Sequence, residues 1–121
     1  MPDFIDQVHV TGNVNLRKAG NSAALIIASV RKGMIFHVTG PQNAKGYAPG
    51  YVFGHKPDGE DVLLSDSLRG GVGVNALLFP GAHFEPTGPT DEYGRTPGKV
   101  AGYISMLWTR PTVPTGELAG G

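Results

Sequence analysis

Glycine and proline punctuate this chain so often that they break it into short segments. Nineteen glycines and ten prolines among 121 residues make up nearly a quarter of it, close to the level at which a disordered chain enters consideration. An apolar share of 40% argues against disorder, because burying those side chains offsets the entropy of ordering the backbone. Frequent turns between short strands account for the composition, and the expected fold class is all-β.

Alternation supports strands along the first half. Val8, Val10, Val14 and Leu16 fall on even positions with polar residues between them, the pattern of one half-buried strand bulged at Gly12. "KAGNS" is turn chemistry, and the branched residues of "AALIIASV" favour a strand over a short helix. "RKG" followed by "MIFHVTG" reads as the turn and second strand of a hairpin. The segment Gly40 to Gly50 reads as a loop. "YVFGHKPDGEDVLLSDSL" gives two strands about a Pro-Asp-Gly turn, and "GGVGVNALLFPG" a last apolar strand. From Pro80 onward, proline density predicts an extended, hydrogen-bond-poor arm with one strand near 99–110. No internal repeat of useful length stands out. The expected organisation is a barrel of five to six short strands over 1–79 and a Pro/Gly-rich arm over 80–121.

Charge and composition exclude several functions. Ten basic residues balance ten acidic ones, so no global field draws the chain onto nucleic acid or an anionic membrane. Without cysteine there is no disulfide framework, thiolate metal site or cysteine nucleophile. "MPDFIDQVHV" lacks the basic start and apolar core of an export signal, and no apolar run approaches the roughly 20 residues of a membrane-spanning helix.

The stretch "VNLRKAGNSAALIIASVRKGMIFHVTG" resembles the first half of bacterial Src-homology-three domains. Asn15, Leu16 and Arg17 match the start, Lys32 and Gly33 the turn, and Phe36 to Gly40 the strand that follows. "GVGVNALLF", residues 71 to 79, is similar to the closing segment, so the likeness spans residues 8–79. It implies a small barrel. The aromatics that line the ligand groove in cell-wall-targeting members have no counterpart in "DVLLSDSL" and "GVGVN"; Tyr47, Tyr51 and Phe53 are the candidates to replace them.

Catalytic chemistry finds little support. His9 and His37 face the same side if their strands pair, but zinc takes three or four ligands, and His55 and His83 lie in loops without metal-site spacing. Ser65, Asp66 and Ser67 near Glu60 and Asp61 lack a base held by an orienting group. Asp91 with Glu92 sits in a turn, where solvation is the usual role. Arg17, Lys18, Arg31 and Lys32 form the one basic concentration, ordinary for exposed turns. The chain is therefore expected to be no enzyme, with no catalytic residue, metal or cofactor.

Val100, Tyr103, Ile104, Met106, Leu107 and Trp108 make the C-terminal strand the most apolar segment outside the barrel. It either folds back on its own barrel or crosses to a neighbouring subunit and extends an open sheet edge; the reading favours exchange. Tyr103, Met106, Leu107 and Trp108, with Tyr47, Tyr51 and Phe53, are the expected partner-binding residues. The expectation is a structural component of a bacteriophage particle, a capsid decoration or tail accessory protein, where lysis replaces export and localisation is the virion after synthesis in the host cytoplasm. Its partners would be itself, as a homo-oligomer, and particle proteins such as a major capsid or tail protein, with no nucleic acid and no membrane. A peptidoglycan or cell-surface binding module is the alternative.

Overall fold

The even-numbered apolar residues Val8, Val10, Val14 and Leu16 do point inward, but from two strands rather than one bulged strand. In the computed structural model, which describes residues 6–65 and 74–111, β1 spans Asp6–Val10 and β2 Val14–Arg17. Gly12 lies at the corner between them, close against the Trp108 indole, and the two strands take different partners. The strands that follow are β3 (Ile26–Val30), β4 (Ile35–Val38), β5 (Tyr47–Pro57), β6 (Val62–Ser65) and β7 (Val74–Leu78). The series ends with β8 (Phe84–Pro86), β9 (Arg95–Ser105), a 3-10 turn at Met106–Trp108, and β10 (Thr109–Pro111).

All strand pairs are antiparallel, in the order β10-β1-β4-β5-β6-β7-β3-β2-β9-β8. A further pairing of β5 with β9 closes β5-β6-β7-β3-β2-β9 into a six-stranded barrel. The all-β class is as expected, and five of the six walls come from before residue 80. The sixth, β9, comes from after it. β9 pairs with β5 over eleven residues, from Tyr47↔Ser105 to Pro57↔Arg95. Within this chain the strand expected to exchange between subunits is therefore a wall of its own barrel. The reason is the length of that ladder, which satisfies the backbone of two long strands at once.

Other expectations change in detail. β3 and β4 do not form a hairpin, because β3 pairs with β2 and β7 while β4 pairs with β1 and β5. Gly33, with φ of 96°, bends the chain there, and its N–H donates to Val10 O (2.8 Å). The segment up to Gly50 is not all loop, since Tyr47 to Gly50 already belong to β5. The proline-rich stretch after Pro80 is not hydrogen-bond-poor: it contains β8, an Asp91 turn and the start of β9.

The corrected segments also belong to an internal duplication, where no repeat of useful length was expected. "FHVTGPQNAKGYAPGYVFG" (36–54) and "FEPTGPTDEYGRTPGKVAG" (84–102) align at an offset of 48 residues (84 − 36) with nine of nineteen positions identical: Phe36, Thr39, Gly40, Pro41, Gly46, Pro49, Gly50, Val52 and Gly54 recur. The structure repeats with the sequence. Thr39 N–H donates to Pro49 O and Thr87 N–H to Pro97 O, both at 2.9 Å. Asn43 Oδ1 accepts the N–H groups of Lys45 (2.9 Å) and Tyr47 (3.0 Å), and Asp91 Oδ1 those of Tyr93 (2.8 Å) and Arg95 (3.0 Å). The Arg95 N–H bond in particular holds the Asp91 carboxyl below the usual carboxylate range. Gly46 and Gly94 take positive φ (87° and 76°), as do Gly33 and Gly81 (96° and 102°). β2-β3-β4-β5 and β6-β7-β8-β9 are thus two copies of one unit.

Register shows how the copies are related. Gly50↔Gly102 becomes Gly98↔Gly54 when the copies are exchanged, while Val52↔Val100 and Ser29↔Leu77 map onto themselves. A pseudo-two-fold axis therefore runs through the barrel from β5–β9 to β3–β7. Inside lie Val10, Leu16, Val30, Met34, Phe36, Val52, Leu63, Val100 and Ile104, all fully buried. β1 and β10 fall outside the duplicated unit.

The paired inward glycines are sites of close approach. A Cβ on Gly54 would stand 2.6 Å from Leu63 Cγ and 2.8 Å from Leu64 O; one on Gly102 would stand 2.7 Å from Leu16 Cγ and 2.8 Å from Arg17 O. Replacing either glycine overpacks the corner where a neighbouring strand crosses. Gly54→Ala and Gly102→Ala are each expected to lower unfolding stability by about 1–3 kcal/mol, and Leu16→Ala by about 2–5 kcal/mol. Denaturant titration of the three variants checks this; wild-type midpoints for both glycine variants would refute the packing account.

Candidate functional site

Strand alternation decides which side chains of the β5–β9 ribbon face outward. With Gly50, Val52 and Gly54 inside, Tyr47, Pro49, Tyr51 and Phe53 face out from β5, and Lys99, Ala101, Tyr103 and Ser105 from β9. The result is an outer face rich in aromatic residues. At its centre Tyr51 stacks on His37 (centroids 5.4 Å apart) and meets Phe53 edge-on (5.0 Å); His37 also meets Phe53 edge-on (4.8 Å). Lys99 Nζ lies 4.7 Å from the Tyr51 ring centre, within reach of a cation–π attraction. This cover leaves Tyr51 only 6% exposed although it lies on the outer face, whereas Phe53 is 42% exposed.

His9 and His37 lie on paired strands, opposite Ile35 and Gln7 respectively, which puts them on one face. Among the described residues no group of three or more His, Asp or Glu side chains is placed to hold a metal ion. Glu60 and Asp61 lie in the exposed turn between β5 and β6. Asp66, Ser67 and Gly70 to Gly73 lie outside the described residues. No described helix is long and apolar enough to cross a membrane.

The seven expected binding residues do not form one site. Tyr51 and Phe53 join the central cluster. Tyr47 and Trp108 reach the end of the ribbon and line an open cleft of about 230 Å3 with Asn13, Val14, Asn15, Arg17 and Ser105. Tyr103 packs beside Gly20 and lines a second hollow of about 250 Å3 with Lys18, Thr39, Pro49 and Ala101, over the Gly50–Gly102 pair. Met106 packs against the core, while Leu107 is 76% and Trp108 49% exposed. Sequence alternation missed Asn13, Asn15 and Arg17 as companions of Trp108. They are 91 or more positions away in sequence (108 − 17), and the β2–β9 pairing at Arg17↔Tyr103 and the β1–β10 pairing at Val10↔Thr109 bring them together.

The turn that carries Leu107 and Trp108 is held at several points. Met106 N–H donates to Gly46 O (2.8 Å), Thr11 N–H to Trp108 O (2.8 Å), and Thr109 Oγ1 to Met106 O (2.8 Å). The two apolar side chains are displayed on fixed backbone rather than on a loose loop.

No family model, curated protein or solved structure matches this chain.

Burial makes His37 harder to protonate and holds its pKa below the ordinary 6.5. The unfolded chain then binds the proton first as pH falls. The stability tied to neutral His37 is complete above about 6.5 and is lost as pH drops from there through the depressed folded value. Chemical denaturation at pH 7.5 and 5.0 is expected to show a smaller pH-dependent loss for His37→Phe than for the wild type. Equal losses would show that His37 carries none of it.

Proposed function

We propose that this chain is a non-enzymatic structural protein that works by assembly, as a capsid decoration or tail accessory component of a bacteriophage particle built on a Src-homology-three-like barrel. The observation that carries the reading is the rigid display of Leu107 and Trp108 beside Tyr47. Leu107, Trp108 and Tyr47 lie together on fixed backbone, and a contiguous apolar patch with tryptophan and tyrosine anchors has the make-up of a protein contact site. A neutral net charge suits contact with protein rather than with a polyanion.

The sheet edges are poorer contacts than the aromatic face. Thr87 N–H points to β9, so by alternation the backbone of Phe84 and Pro86 faces the open side of β8, where proline supplies no donor. At the other end Val10 N–H points to β4 and Thr11 N–H to Trp108 on the β10 side. Val8, two residues before Val10, therefore also faces β4, and its register partner Pro111 turns its nitrogen to the open edge. Both outermost strands thus carry the residue that blunts strand addition. Assembly in this reading runs through the Leu107–Trp108 turn.

Purified full chain is expected to co-sediment with bacteriophage particles prepared without it, and Leu107→Asp to reduce the bound fraction at least tenfold while leaving the circular dichroism spectrum unchanged. Retention of the variant on particles would overturn the assignment of this turn. Binding of wild-type monomer to purified cell walls, with none to particles, would replace the reading with a cell-surface binding module.

A further inference from the structure

The cleft between β2, the start of β5 and the 3-10 turn has a composition that the barrel does not require. The duplication supplies the comparison within the same molecule. By register, Asn15↔Ser29 corresponds to Val62↔Leu77, and Arg17↔Tyr103 to Leu64↔His55. Tyr47 corresponds to Arg95, Ser105 to Pro57, and the Trp108 position to Glu60 at the same offset of 48 residues (95 − 47). One of the two symmetry-related corners therefore carries Asn15, Arg17, Tyr47, Ser105 and Trp108 where the other carries Val62, Leu64, Arg95, Pro57 and Glu60. The strand residues of both sets form equivalent barrel walls, so building those walls does not by itself account for Asn15, Arg17 and Tyr47.

What these side chains share is the chemistry of a sugar site. The Trp108 indole rests with one edge on Gly12, where an added Cβ would lie 3.3 Å from Cε3, and it remains 49% exposed. A half-exposed, positioned indole is a platform for the apolar face of a pyranose ring. Around it stand donors and acceptors in two planar geometries suited to adjacent hydroxyls, amide and guanidinium. Asn13 is held by the Lys32 N–H on its Oδ1 (3.0 Å) and keeps its Nδ2 donors, and Arg17 is held by its bond to Ala24 O (2.9 Å). Asn15 is fully on the surface side of β2. The volume of about 230 Å3 lies below the roughly 300–1,000 Å3 of sites for drug-sized ligands, which suits a single ring of a longer saccharide.

We infer that this cleft binds one pyranose unit of an oligosaccharide, stacked on Trp108 and hydrogen-bonded by Asn13, Asn15 and Arg17. The cleft shares Trp108 and Tyr47 with the assembly surface, but Leu107 does not line it and Asn15 lies off the displayed turn, so variants at those two positions separate the two readings.

Trp108 is the single tryptophan, so its fluorescence reports on the site directly. The full chain is titrated with maltotriose, tri-N-acetylchitotriose and trigalacturonate, and separately with a proline-rich decapeptide. At least one saccharide is expected to give a saturable emission change with millimolar or tighter affinity. Asn15→Ala, at an exposed position, is expected to keep the fold and weaken that binding at least tenfold; Trp108→Ala, followed by amide chemical shifts, is expected to abolish it. A response to the trigalacturonate alone identifies an acidic sugar held by Arg17 and supports the site. No saturable change with any saccharide, a response to the peptide alone, or unchanged affinity in Asn15→Ala overturns the inference.

Discussion

Two pairs of glycines facing each other across one strand ladder are the constraint on which the rest of this structure depends. Gly50 opposite Gly102 and Gly54 opposite Gly98 leave the inner face of the β5–β9 ribbon without side chains at two levels. Only Val52 and Val100 fill the space between them. At each glycine another strand crosses close by: β4 at Gly50, β6 at Gly54, β8 at Gly98 and β2 at Gly102. A side chain there would hold those neighbours off. Their absence lets each long strand change partners midway, which brings six strands round into a closed barrel.

The same pairing joins the two copies around one core without cysteine and, among the described residues, with no helix longer than the three-residue 3-10 turn. Duplication places the long ladder on a pseudo-two-fold axis, so each copy contributes one wall to the other copy's half of the barrel. Neither unit buries its apolar face alone. The core residues Leu16 from the first copy and Leu63 from the second occupy equivalent corners against Gly102 and Gly54 and belong to one buried cluster, so the two copies share a single core.

Departures from the symmetry are where function is best sought. β1 and β10 extend only one side, and Pro86 stands on β8 where β4 has Val38. The second copy therefore offers no equivalent edge for a strand like β1. Likewise Asn15, Arg17 and Tyr47, which line the cleft beside Trp108, have Val62, Leu64 and Arg95 as their counterparts at the symmetry-related corner. A duplicated scaffold fixes what both copies share for folding and leaves free what only one of them carries.

Much of this was legible in the chain itself. Dense glycine and proline with alternating apolar residues determined an all-β fold, and the inward set Val8, Val10, Val14 and Leu16 followed from period two alone. The repeat was written there too, in nine shared positions, but its recurring residues are mostly glycine and proline, which look like ordinary loop composition until the ladder shows them facing one another. It also straddled Pro80, where composition suggested an arm. Only tertiary structure decided that β3 and β4 part company, that β9 closes the barrel, and that Asn15, Arg17 and Trp108 share one cleft. Those facts rest on pairings between residues tens of positions apart, and local pattern carries no information about which distant strand supplies the hydrogen bonds.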